Sequence, residues 1–93
     1  MTNLESFINE LKQNNEEFKM VKMFVPNVNK EVDFVMPLYK HDNITEINEY
    51  VFGLDTTLEE MEEINFWVSE EGGADLLAKS VGLVDTHYTF YTF

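Results

Sequence analysis

Residues 55–75, "DTTLEEMEEINFWVSEEGGAD", carry eight carboxylates and no lysine or arginine, and an adjacent Phe66-Trp67 pair sits among them. Carboxylates at this density could serve as acid–base pairs, bind a metal ion, or present a negative surface to a partner. The first use singles out no residue, because nearly any two of the acids would qualify. The second has few ligands of other kinds to draw on. The only histidines are His41, beside Asp42, and His87, two residues after Asp85, and no acidic loop has EF-hand spacing. G-x-G-x-x-G, P-loop, H-E-x-x-H and G-x-S-x-G patterns are absent. The reading is therefore non-enzymatic, with no metal and no cofactor. The third use, a surface, remains.

Charge distribution sharpens that choice. The chain has 93 residues and a net charge of -12, and its six basic residues are all lysine. Residues 1–40 hold six acids and five lysines, a balance of -1, whereas residues 41–93 hold twelve acids and Lys79 alone, a balance of -11. Such a field disfavours nucleic acid and anionic membranes as direct partners and favours a basic protein surface. There is no cysteine, so neither disulfides nor thiolate zinc sites are available; this suits a reducing cytoplasm. No run approaches the ~18 apolar residues of a membrane span, and the acidic start "MTNLESFINELKQNN" does not read as a signal peptide. Hydrophobic residues at 44% are enough for one folded domain over residues 1–93.

The elements that must position these acids follow from periodicity. Thr2 and Glu5 have capping-box spacing, and Leu4, Phe7, Ile8 and Leu11 predict an amphipathic helix over residues 3–13. "FKMVKMFV" and "EVDFVMP", separated by "PNVNK", predict a β-hairpin over about residues 17–37 that Pro37 closes or marks as an edge. Asn43 as a cap, with Ile44, Ile47 and Val51, predicts a short helix stopping at Gly53. A third helix spans residues 57–71, capped by Thr56 or Thr57, and "ADLLAKSV" gives a fourth. The alternating tail "VDTHYTFYTF" reads as a strand. The expected fold is a small single α+β domain in the order αββαααβ, its helices packed on an antiparallel sheet.

On the acidic helix, Leu58, Met61, Ile64 and Val68 form the expected core stripe, while Phe66 falls among Glu59, Glu62, Glu63 and Glu70, and Trp67 lies at the border beside Glu60. A solvated face explains many such helices. Against it, Glu59–Glu63, Glu60–Glu63 and Glu59–Glu62 are like-charge neighbours, each costing roughly 0.2–0.5 kcal/mol. Spaced about 5–6 Å apart on a helix, such acids can imitate the phosphates of duplex DNA, which recur every ~3.4 Å on each strand. The candidate partner-binding set is Asp42, Glu46, Glu49, Asp55, Glu59, Glu60, Glu62, Glu63, Glu70, Glu71 and Asp75, with Phe66 and Trp67 as anchors. Neutralising Glu59, Glu60, Glu62 and Glu63 is expected to spare folding and abolish binding. The rival reading is a phage structural or assembly accessory, or an oligomerising module. It would act through the C-terminal strand bearing Tyr88, Phe90, Tyr91 and Phe93, which invites homodimer pairing.

Residues 37–92 contain "DNITEINE", with Ile44, Glu46, Ile47 and Asn48 placed as in a Ser/Thr-Ile-x-Glu-Leu-Asn helix start. An acidic helix, the small "ADLLAKSV" helix and an aromatic "HYTFY" follow. In these four features the segment resembles the ArdA antirestriction family of phages, plasmids and transposons, whose members inhibit restriction enzymes by mimicking DNA. The likeness does not extend to that family's third, dimerising domain, nor to residues 1–36. It implies a DNA-mimic inhibitor, antirestriction or anti-CRISPR, acting in the bacterial cytoplasm on the nucleic-acid groove of a defence enzyme.

Overall fold

The computed structural model describes residues 3–42, 44–53, 56–83 and 91–92. They form α1 (Asn3–Gln13), β1 (Phe18–Val25), a 3-10 turn (Pro26–Val28), β2 (Lys30–His41), β3 (Ile44–Ile47), β4 (Tyr50–Phe52), α2 (Leu58–Glu70), α3 (Gly73–Ser80) and β5 (Tyr91–Thr92). The fold is α+β. β2 lies at its centre, pairing antiparallel with β1 along one side and with β3 and β4 along the other. β5 adds in parallel to β4. Thr2, Asn43, Asp55, His87 and most of the expected terminal strand lie outside the described residues.

Two expectations are corrected. Residues 44–52 form strands, not a helix. β3 and β4 are in effect one strand broken by a bulge, because the register steps from Leu38↔Ile47 to Val35↔Val51, which adds one residue on their side. That extra residue puts Ile47, Tyr50 and Phe52 all into the same core cluster. The three-residue step from Ile47 to Tyr50 imitates helical spacing. Four β-branched and two aromatic residues in this stretch favour the strand. The family-like helix start is therefore extended backbone here.

Pro37 neither ends β2 nor lies at an edge. Its carbonyl accepts from the Asn48 N–H (2.8 Å). Its nitrogen, which has no hydrogen to donate, faces the same side, so the missing donor coincides with the bulge.

α2 and α3 cover one face of the sheet. Phe34 and Met36 of β2, Tyr50 and Phe52 of β4, Ile64, Trp67 and Val68 of α2, and Leu77 of α3 share the main core. Tyr50 Oη donates to the Ala74 carbonyl (3.2 Å), tying the sheet to α3 without a buried orphan hydroxyl. Leu11, Val35 and Val51 are buried outside that core. Leu4 and Ile8 line a groove of about 630 Å³ with Val35, which places α1 over the opposite face.

Candidate functional site

α2 starts where the sequence says it should. Thr57 is the cap: its side chain accepts from the Glu60 N–H (3.2 Å), and the Glu60 carboxylate accepts from the Thr57 N–H (3.2 Å). Glu60 also pairs with Lys30, 30 positions earlier, at the start of β2. The Lys30 ammonium bonded to Glu60, followed by the Thr57 backbone N–H, holds its carboxyl below the ordinary 4.5. Glu60 is thus a structural residue and leaves the candidate contact set. Because its folded pKa is depressed, its contribution is complete above the unfolded value and is lost as pH falls through the folded one. Glu60→Gln should therefore melt below the wild type at neutral pH, and the gap should close on acidification. Paired melts across pH 2–7 check this, and a gap that does not depend on pH would refute it.

The buried stripe of α2 is Ile64, Trp67 and Val68, with Met61 half-buried. Leu58 was expected in that stripe but, in the first turn of α2, is 70% exposed. Trp67 is only 4% exposed, its ring 6.1 Å from Phe34. It is a core residue and cannot be a surface anchor. Phe66 is 53% exposed and can.

The acids sort into groups. Glu59, Glu62, Glu63 and Glu70 are exposed on α2 with Phe66, and no described cation pairs with them. Glu71 is engaged by the Asn27 amide (2.7 Å), which also reaches the Glu63 carbonyl (3.4 Å) and clips the 3-10 turn to the helix. Asp75 pairs with Lys79 (2.9 Å) one turn along α3. Glu46 lies opposite Tyr39 in the ladder, on the sheet face that α2 does not cover, and sits 3.5 Å from His41. Asp42 occupies the tip of that hairpin at φ 46°, and Glu49 lies in the bulge. The predicted acids are therefore not one row. Among the described residues, the α2 quartet around Phe66 forms one exposed helix face that no described cation offsets. Sequence reasoning missed Lys30, because nothing local links it to Glu60.

Among the described residues no cluster of three or more potential ligands could hold a metal ion, and no helix is long and apolar enough to cross a membrane. Comparison with protein-family models, curated proteins and solved structures finds no match to this chain.

Proposed function

We propose that this chain is a DNA-mimic inhibitor whose α2 face occupies the basic nucleic-acid groove of a bacterial defence enzyme, a restriction enzyme or CRISPR nuclease, in the host cytoplasm. One observation carries the reading: Phe66 stands half-exposed among Glu59, Glu62, Glu63 and Glu70, which no described cation offsets. Exposing an aromatic and leaving acids unpaired both cost stability, and a basic, apolar-floored groove repays both. Phe66 supplies the desolvated anchor, and the acids steer the encounter and reject acidic partners. The resemblance to ArdA proteins in the acidic helix and the small helix that follows it points the same way.

The test is capture from bacterial lysate on the immobilised chain, with duplex DNA as competitor. The expected result is a DNA-binding nuclease or restriction subunit that duplex DNA displaces and that salt weakens. Recovering no nucleic-acid-binding protein, or one that DNA leaves in place, would sink the proposal.

A further inference from the structure

β1 is the outer strand of the sheet, and no described segment pairs with its open side. Leu38 N–H donates to the Glu17 carbonyl, and the register then turns Lys19, Val21, Met23 and Val25 towards β2. The N–H and C=O groups of Phe18, Met20, Lys22 and Phe24 point outward. Over these residues the strand has no proline and no bulge in its pairing with β2, and Met20 and Phe24 are 58% and 50% exposed. An unbroken edge of this kind, with Met20 and Phe24 exposed beside Lys19 and Lys22, is a template for another strand.

The strand's own sequence names the occupant. "FKMVKMF", residues 18–24, is pseudo-symmetric about Val21. We propose that β1 pairs antiparallel with β1 of a second copy, with the two-fold axis at Val21. In that register Phe18 faces Phe24 of the second copy, Lys19 faces Met23, Met20 faces Lys22, and Val21 faces itself. Every lysine meets a methionine, whose flexible thioether packs along the lysine stem, and no like charges oppose directly. All four outward-facing residues meet outward-facing residues, so the ladder closes. The contact is isologous and stops at two copies. It also uses the part of the chain with least repulsion, since β1 has two lysines and no acid in a protein of net charge -12. This edge is opposite the one formed by β5, so the dimer is independent of the terminal strand and of the α2 face.

A two-strand seam is small beside the roughly 1,600 Å² of a standard interface, so pairing should depend on concentration, and salt should strengthen it by screening the net charge. Light scattering of the full chain up to roughly 1 mM tests the state. Met20→Pro removes only an outward donor and should give a folded monomer by circular dichroism. The register is tested by cross-linking in a chain that lacks cysteine. Val21→Cys should oxidise readily to a disulfide dimer, because a non-hydrogen-bonded antiparallel pair holds its Cα atoms ~4.5 Å apart, within disulfide reach. Lys19→Cys, facing Met23, should not. A wild type that stays monomeric, a dimer untouched by folded Met20→Pro, or Val21→Cys that links no faster than Lys19→Cys would each overturn the proposal.

Discussion

Replacing Trp67 with alanine is expected to cost about 3–5 kcal/mol, the range for deleting a large buried aromatic. Its indole fills the space between Phe34 and the start of α3 and is 4% exposed. Gly73 shows how close the fit is: a Cβ built there would stand 2.5 Å from Trp67 Cε3. Gly73→Ala should therefore destabilise by overpacking, by about 1–3 kcal/mol. Because both residues press on one contact, the two changes should couple rather than add, with alanine at position 73 costing less once the indole is gone. Against a total stability of about 5–15 kcal/mol for a domain, the Trp67 loss is large. Urea melts of the two single variants and the double variant measure it. A cost under about 1 kcal/mol for Trp67→Ala would mean that the indole is not the keystone of this core. Phe66→Ala is the contrast, expected to stay within about 0.5 kcal/mol in stability.

Neutralising Glu59, Glu62, Glu63 and Glu70 to glutamine should abolish capture of the DNA-binding partner while leaving the fold intact. Glu60 is spared because it caps α2 and holds Lys30. Removing the Glu59–Glu62 and Glu59–Glu63 repulsions returns roughly 0.2–0.5 kcal/mol each. Glu70 sits in the last turn of α2, which has no basic residue, so its loss also relieves the helix dipole. Glu59 lies in the favourable first turn, and neutralising it gives part of that gain back. The variant should thus melt at or slightly above the wild type while losing its partner. That opposition of signs separates a functional face from a merely solvated one. A variant that melts as expected but still binds, and is still displaced by DNA, would leave the acids as a solvated surface.

The local signals were legible because they are short-range. The 3.6-residue periodicity gave α1, and with capping chemistry α2, within a residue. Turn residues between two β-rich runs gave β1 and β2. The concentration of acid in residues 41–93 was plain from composition. None of this required knowing what lies across the sheet. What the sequence hid depended on partners far along the chain. The bulge opposite Pro37 disguised a strand as a helix, because an inserted residue breaks the two-residue alternation that identifies β structure. Burial of Trp67 was decided by α3 and Phe34, and no helical wheel contains either. The split among the acids was decided by the sheet, which sets Glu46 on the face that α2 does not cover and brings Lys30 to Glu60. Sequence alone determined how much charge this protein carries and which helix bears the largest share of it. Only the tertiary structure decided which of those charges remain unpaired, because pairing and burial are set by distances between elements rather than by order along the chain.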